Sequence, residues 1–231
     1  MPETQSSWFD KILDFFRRLF GGGERKVPPP PESPPPPPPE SPPPPPPESP
    51  PPGRFIAVDA GHGGSDSGAI NQQLGINEKT ITLAIALKLK KILEDRGHRV
   101  RMTRSEDIFV ELTRRAEIAN TAGTDIFVSI HCNSAGNSSA NGIETYHHPD
   151  SANGRVLATK VQEAMIAAFP SHNNRGVKSA NFVVLRETQM PAGLVETEFL
   201  SNNQQAQFLA NPNNQQKIAT AIADGIAAYF R

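Results

Sequence analysis

The sequence lacks several features that would place the protein in a special class. Its 231 residues contain one cysteine, Cys132, so an intramolecular disulfide is excluded, while the redox compartment stays open. No stretch approaches the roughly 20 consecutive apolar residues of a membrane-spanning helix. The formal net charge is -1, with both signs mixed along the chain, which argues against a nucleic-acid-binding face. The class of the protein must therefore be inferred from the repeats, periodicities and motifs in its sequence.

Proline is scarce outside one segment. Most of the 24 prolines lie between Pro28 and Pro52, where ESPPPPPP repeats with a period of eight residues. Because proline fixes φ and offers no backbone N–H, these residues predict a polyproline II rod without a core of its own. We assign residues 24–53 to a proline-rich disordered or polyproline linker. At about 3.1 Å per residue the rod reaches roughly 80 Å, and a spacer is favoured over a ligand of SH3-type domains.

Residues 1–23 form a separate first segment. Within it, SWFDKILDFFRRLF has apolar residues at helical spacing and is followed by Gly21–Gly23. Two interpretations stay open: an amphipathic helix that contacts a membrane surface or another protein, and a short helix that packs on its own domain or frays. Charged residues such as Asp10 and Arg17 interrupt the apolar region that a secretory signal needs. We therefore expect no cleaved signal peptide, and the route of export stays open.

Residues 54–231 alternate between strand and helix patterns. This alternation predicts a single α/β domain with a mostly parallel sheet that is flanked by helices on both faces. The predicted strands are RFIAVDA, HRVRMTR, DIFVSIH, GIETYHH, NFVVL and GLVETEF. The predicted helices are KTITLAIALKLKKILEDRG, VELTRRAEIANTAG, GRVLATKVQEAMIAAF and NQQKIATAIADGIAAYF.

Polar residues follow three of these strands. His62 comes just after RFIAV, within the turn DAGHGG, His131 ends DIFVSI, and Glu196 ends GLV. Because ligands gather beyond the carboxyl ends of strands in open α/β sheets, these side chains are candidates for one site. Taken alone, DAGHGG is equally consistent with a tight turn and an incidental histidine.

Glu78 reaches the same region from a helix. It lies three residues before Ile81, the first residue of a core-facing apolar stripe, so it should share that face at the first turn. A carboxylate there also stabilises a helix through its dipole. Together with His62 and His131 it completes a set of two imidazoles and one carboxylate, which is typical of catalytic zinc. Cys132, next to His131 on a strand, should point to the opposite face and is not a ligand.

Glu196 is expected to stay off the metal. One carboxylate can take a proton from the attacking water and then hand it to the leaving nitrogen. Zinc, two histidines, Glu78 and a free carboxylate therefore predict hydrolysis of an amide bond.

The order of several motifs resembles a known family. VDAGHGG, INEK, LTRRAEIAN, DIFVSIHCN, GIETY and VLRETQMPAGLVETEFLSN occur in the order found in zinc-dependent N-acetylmuramoyl-L-alanine amidases of the type-three family, over residues 55–230. The resemblance implies that residues 54–231 are a zinc amidase catalytic domain holding one Zn²⁺ through His62, Glu78 and His131. It also implies that Glu196 is the catalytic carboxylate, and that Asn133 has a role in substrate binding or in supporting the site.

The resemblance further implies a peptidoglycan hydrolase that cuts between N-acetylmuramic acid and the L-alanine of the stem peptide. Action in the periplasm, the cell wall or outside the cell follows from that substrate, and we expect a monomer. Two alternatives stay open: a zinc peptidase acting on the stem peptide, and an inactive wall-binding scaffold. No long insertion lies between His131 and Glu196, so we expect a site that is open without an activator.

Other residues carry weaker expectations. Glu198 stands where relatives usually have glycine. Strand alternation would put it on the same face as Glu196, although a solvated rim position is favoured. His147 and His148 follow a strand, and either a border of the substrate groove or, preferably, a rim position is expected. Structural pairing is expected for Arg104 with Asp107, and for Arg114 or Arg115 with Glu111, whereas His98 is expected to be structural or solvated and His172 has no predicted role.

Overall fold

The computed structural model describes residues 53–231, so the predicted helix in residues 1–23 and nearly all of the predicted linker lie outside the described residues. The strands are β1 (Phe55–Ala60), β2 (Ile70–Asn71), β3 (Ile76–Asn77), β4 (Arg99–Met102), β5 (Ile126–Asn133), β6 (Ile143–His147), β7 (Asn174–Ser179) and β8 (Ala192–Phe199). The helices are α1 (Glu78–Asp95), α2 (Leu112–Ala122), α3 (Ala152–Ala168), α4 (Val183–Arg186), α5 (Asn203–Ala210) and α6 (Pro212–Tyr229).

Six of the strands form one sheet in the order β4-β1-β5-β8-β6-β7, and β2 pairs with β3 in a small hairpin. Strands β4, β1, β5 and β8 run parallel, whereas β6 is antiparallel to β8 and parallel to β7. The prediction of a mostly parallel sheet with flanking helices is confirmed. The carboxyl ends of β1, β5 and β8 consequently lie side by side at one edge of the sheet.

The two faces of the sheet are covered to different extents. On one face, Ile56 and Val58 pack with α1, α3, α5 and α6 in the larger apolar core. On the other face, Ala57 and Phe127 pack with α2 and the short α4 in a smaller cluster. Because successive strand residues point to opposite faces, Asp59 of β1 shares the less covered face with Ala57.

Helix α1 follows its apolar spacing closely. It begins at Glu78 and buries Ile81, Ile85 and Leu89. The chain turns at Gly97, whose φ of 84° favours glycine. This packing orients the first turn of α1, and therefore Glu78, toward the sheet.

One predicted strand is wrong, and four elements were not predicted: the short hairpin strands β2 and β3, strand β7 and helix α5. NFVVL contains the short helix α4, since a brief apolar run does not distinguish a strand from a helix by periodicity. Strand β7 has few apolar residues because it lies at the edge of the sheet. Helix α5 was also missed: Asn202 caps it by accepting from the backbone N–H groups of Gln204 and Gln205. Within residues 53–231, no helix combines the length and apolar character needed to cross a membrane.

Candidate metal centre and active site

His62 lies in the turn after β1 with a φ of 60°, a left-handed conformation that residues other than glycine rarely adopt. Its neighbour Gly61 is needed for clearance, because a Cβ there would lie 2.4 Å from Cε1 of His131. Gly68 is equally confined, with Glu78 Oε2 only 2.6 Å from where a Cβ would lie. The glycines therefore let two imidazoles and a carboxylate approach one another.

The three predicted ligands meet at one point. His62, Glu78 and His131 each offer one ligand atom, and these atoms lie within 4.8 Å of one another. Glu78 Oε1 lies 3.1 Å from Nε2 of His62 and 3.0 Å from Nδ1 of His131. Three elements supply them: the turn after β1, the start of α1 and strand β5. The cluster could hold a metal ion, and its donor set fits a catalytic zinc site.

Further contacts orient these side chains. Asp66 Oδ2 lies 2.8 Å from Nδ1 of His62, on the side of the ring away from Glu78. Glu78 Oε2 accepts the backbone N–H of Ala69 at 2.8 Å, and Oε1 accepts that of Cys132 at 2.9 Å. The Cys132 side chain packs in the larger core, as predicted, and burial raises the pKa of its thiol. Asp66 was not singled out from the sequence, and its position four residues after His62 was the available signal.

Burial and the contacts among the three side chains shift the pKa values of Glu78 and His131. Burial acts to raise the pKa of Glu78, but hydrogen bonds from His131 and His62 outweigh burial and hold that pKa well below its usual range. Burial acts to lower the pKa of His131, but the Glu78 carboxylate raises it to about 9. A carboxylate that remains ionised between two imidazoles is suited to bind a cation.

Glu196 is a half-buried carboxyl group that lacks a complete set of hydrogen-bond partners within residues 53–231. It lies on β8 directly opposite His131 of β5. Its Oε2 is buried and has no hydrogen-bond partner among the described residues. Burial is the main cause that raises its pKa to about 7. Glu196 lines a cleft of about 340 Å³ together with His62 and His131, and Leu112 and Phe182 form part of the wall.

A buried ion pair supports the floor of this cleft. Asp59 is fully buried and accepts from Arg115 Nη1 at 2.9 Å and from the Thr103 and Ser129 hydroxyls at 2.6 Å each. Arg115 Nη2 also donates to the carbonyl oxygen of His62 at 2.8 Å. The expected pairing of Arg115 with Glu111 through their side chains is therefore wrong. Arg115 instead connects α2 to the strained turn that carries His62.

Arg104 has a similar role from another direction. Its guanidinium donates to the carbonyl oxygens of Ala60 and Gly61 at 2.9 and 2.8 Å. Asp107, its expected partner, is instead paired with Lys79 at 2.8 Å. Arg104 binds backbone carbonyls that come together only in the folded turn, so this contact could not be predicted from the sequence.

Comparison with known proteins agrees with this geometry. The family described as N-acetylmuramoyl-L-alanine amidase matches residues 56–228. The chain belongs to this family. It is thus an amidase, an enzyme that hydrolyses the bond between N-acetylmuramic acid and L-alanine in peptidoglycan.

Individual relatives each align with about three quarters of the amidase. N-acetylmuramoyl-L-alanine amidase LytC of Bacillus subtilis is 39% identical over 181 residues, which are 78% of this chain and 36% of LytC. The solved catalytic domain of CwlV, an amidase of Bacillus (Paenibacillus) polymyxa var. colistinus, is 39% identical with a TM-score of 0.73, covering 77% of this chain and 98% of that domain. The CwlD amidase of Clostridioides difficile, solved in complex with the GerS lipoprotein, is 34% identical with a TM-score of 0.74 and covers 77% and 98% respectively.

Asn133 lies at the end of β5, but its side chain is directed to a carboxylate rather than to the metal cluster. Its Nδ2 donates to Glu144 Oε1 at 2.6 Å, and its Oδ1 accepts the backbone N–H of Ser134. Glu144 is buried on β6, directly opposite Glu196 of β8. The amidase thus has a second carboxylate beside Glu196, and this residue was missed because a single Glu in GIETY looks like any polar strand position.

Glu198 of the amidase is neither a rim residue nor a neighbour of Glu196 on the same face. It is fully buried and accepts from Gly142 N at 2.8 Å, with His172 Nδ1 at 2.8 Å from its other oxygen. The strand pairing shifts between His131 and Asn133, so two residues of β8 oppose one of β5. Such a bulge breaks the simple alternation on which the expectation rested.

His147 and His148 do not line the cleft that contains Glu196. Because β6 is antiparallel to β8 and pairs Tyr146 with Leu194, it runs from the level of Glu196 toward the start of β8. His147 is buried and lines a separate cavity of about 1090 Å³. The expectation assumed that every strand ends at the catalytic edge, which holds only for the parallel ones. His98 is structural, since its Nδ1 accepts the backbone N–H of Arg54 at 3.1 Å.

Proposed function

We propose that the amidase binds one Zn²⁺ through His62, Glu78 and His131, and that Glu196 is its general acid and base. The observation that carries this proposal is the position of Glu196, which lines the same cleft as both histidines and has one buried oxygen without a hydrogen-bond partner among residues 53–231. When bound, zinc would polarise the scissile carbonyl and lower the pKa of water. The remaining chemistry belongs to the side chains of the cleft.

The histidines must present neutral nitrogens to a metal. Asp66 can accept the Nδ1 proton of His62, which leaves the lone pair of Nε2 on the side of Glu78. For His131, the nitrogen nearest Glu78 is Nδ1, so that atom is the candidate ligand. The Glu78 carboxylate raises the pKa of His131 to about 9, which favours the charged imidazolium at neutral pH. The binding of a cation would therefore displace a proton from the cluster.

Glu196 is placed for proton transfer. A pKa of about 7 lets its carboxylate take a proton from water and lets its carboxyl group return that proton near neutral pH. The acceptor of the returned proton is the nitrogen of L-alanine, which then leaves as an amine.

The position of the cut separates this proposal from a zinc peptidase. Purified sacculi would be digested with the wild-type protein, and the new amino termini would be labelled and identified. New N-terminal L-alanine supports the amidase assignment, and other new termini without L-alanine contradict it. Absence of zinc from the purified protein, together with no cleavage, would favour a wall-binding scaffold.

The cleft is proposed to work without an activator. Among the described residues, the chain between β5 and β8 forms β6, α3, β7 and the four-residue α4, and α4 borders the cleft beside Phe182. Muropeptide cleavage by isolated residues 54–231 would support this proposal. Strict dependence on an added protein would contradict it. The CwlD relative, which was solved in complex with a lipoprotein, suggests this test.

We also propose that the amidase acts at the cell wall as a monomer, with residues 1–23 as a contact for a membrane surface or a protein and residues 24–53 as a spacer. The repeated prolines support the spacer, since they predict an extended rod. Fractionation of cells that express the tagged full chain, compared with a chain lacking residues 1–23, tests the contact. Equal amounts of both proteins in the envelope fraction would contradict it.

A further inference from the structure

Two cations, Arg175 and Lys178, contact the buried Glu144, which lies opposite Glu196 in the sheet. Arg175 Nε donates to Glu144 Oε2 at 2.7 Å, and Lys178 Nζ forms an ion pair with the same oxygen. Tyr146 donates its hydroxyl to Oε1 at 2.9 Å, and Asn133 donates to that oxygen as well. Glu144 therefore has two donors on each oxygen, and its negative charge is balanced by groups of the protein.

The two cations have fewer hydrogen-bond partners than Glu144 within residues 53–231 and are more exposed. Arg175 and Lys178 remain 33% and 37% exposed, whereas Glu144 is 2% exposed. Within residues 53–231, only Nε of the Arg175 guanidinium forms a hydrogen bond, which leaves both Nη groups open to a bidentate partner. Two positive charges against one carboxylate leave an excess of one. The group thus carries an excess positive charge on two side chains that are each about one third exposed.

Strand pairing places this surface next to the catalytic cleft. Glu144 pairs with Glu196, and Tyr146 pairs with Leu194 on one side and with Lys178 on the other. Paired residues share a face of the sheet, so Lys178 continues the face that carries Glu196 and Leu194. Arg175 lies at the register shift between β6 and β7 and reaches this face through its contact with Glu144.

An aromatic contact joins the two regions. The ring of Tyr146 lies 5.2 Å from that of Phe182, and Phe182 lines the cleft. Lys178 itself lines the neighbouring cavity that His147 borders, and its Nζ lies 5.9 Å from the centre of the Tyr146 ring. A substrate that extends from the cleft past Phe182 therefore meets Tyr146 and then Lys178.

We propose that Arg175 and Lys178 bind a free carboxylate of the stem peptide and so favour substrates that carry one close to the scissile bond. This proposal rests on the proposed function. The carboxyl group of the muramic acid is consumed in the amide bond, so the anionic groups near that bond belong to the peptide side. The cations consequently orient the peptide over β6 and β7, which leaves the glycan for the rest of the cleft.

Two synthetic muropeptides test the proposal. They are identical except that the second stem residue carries a free α-carboxylate in one and the α-amide in the other. The full-length zinc-loaded protein, the double variant Arg175→Gln/Lys178→Gln and the exposed control Lys91→Gln would be compared by kcat/KM on both. We expect the wild type and the control to prefer the free carboxylate about tenfold or more, as bidentate charged contacts do, and the double variant to lose that preference.

The ratio of the two rates keeps the outcomes separate. A general loss of activity or stability in the double variant lowers both rates and leaves the ratio unchanged, which contradicts the proposal. Equal cleavage of both substrates by the wild type also contradicts it, whatever the variants do, while the amidase assignment stands. Failure of the wild type to cleave either amide bond contradicts the proposed function and this proposal together.

Discussion

Asp66 Oδ2 lies 2.8 Å from Nδ1 of His62, and Glu78 Oε1 lies 3.1 Å from Nε2 of the same ring. The imidazole is thus held between two carboxylates that have different roles. Asp66 can accept a proton from Nδ1, and Glu78 belongs to the three-residue cluster that could hold a metal ion. A carboxylate behind a ligand histidine orients the ring and raises its basicity.

Replacing Asp66 by Ala should weaken zinc binding by about 10- to 100-fold, because the Nδ1 proton of His62 loses its acceptor. Competition with a chromophoric chelator measures the affinity directly and does not depend on turnover. Asp150→Ala is the matched control, since Asp150 is highly exposed and its side chain lies 4.0 Å from His148. An unchanged zinc affinity in Asp66→Ala would show that Asp66 does not support zinc binding through His62.

Replacing Arg115 by Met should destabilise the protein by about 3–5 kcal/mol, because Asp59 is left as a buried charge without its partner. Urea unfolding at neutral pH gives the free energy. Arg114→Met is the control on the same helix. Within the described part of the chain, exposed Arg114 forms an ion pair with exposed Glu117 alone, so its loss should cost less than about 1 kcal/mol. Equal effects of the two substitutions would show that the Asp59–Arg115 pair does not support the fold.

The same pair predicts how stability depends on pH. Burial acts to raise the pKa of Asp59, but Arg115 and the Ser129 and Thr103 hydroxyls outweigh burial and lower that pKa. A lowered folded-state pKa gives stability that is present above the unfolded-state value near 4 and is lost as the pH falls through the folded value. Below about pH 4, the free energy of unfolding should fall more steeply for the wild type than for Asp59→Asn. Parallel curves for the two proteins would contradict this assignment.

Residues whose place depends on short-range patterns could be predicted from the sequence. His62 and His131 follow apolar runs that become parallel strands, and Glu78 stands three residues before the core stripe of its helix. The structure brings these three side chains together, with Glu196 in the same cleft. Their roles as ligands and acid or base are proposals that the variants below test.

Residues whose place depends on strand direction or on irregular pairing could not be predicted. Nothing in GIETYHH shows that its strand is reversed, so His147 was expected near the wrong end of the sheet. Glu198 is displaced by a bulge that no local pattern reveals. Glu144 needs partners that come from β5 and β7, which are distant in the chain.

The measurement that tests the central claim most directly is paired: zinc content and muropeptide cleavage for wild type, Glu196→Gln and His62→Ala. Glu196→Gln should retain one zinc per chain and lose at least about 100-fold in kcat, since it removes the acid and base but no ligand. His62→Ala should lose zinc and activity together while the fold remains, because the apolar core lies below the site. Near-normal cleavage by Glu196→Gln, or full zinc occupancy in His62→Ala, would contradict the account.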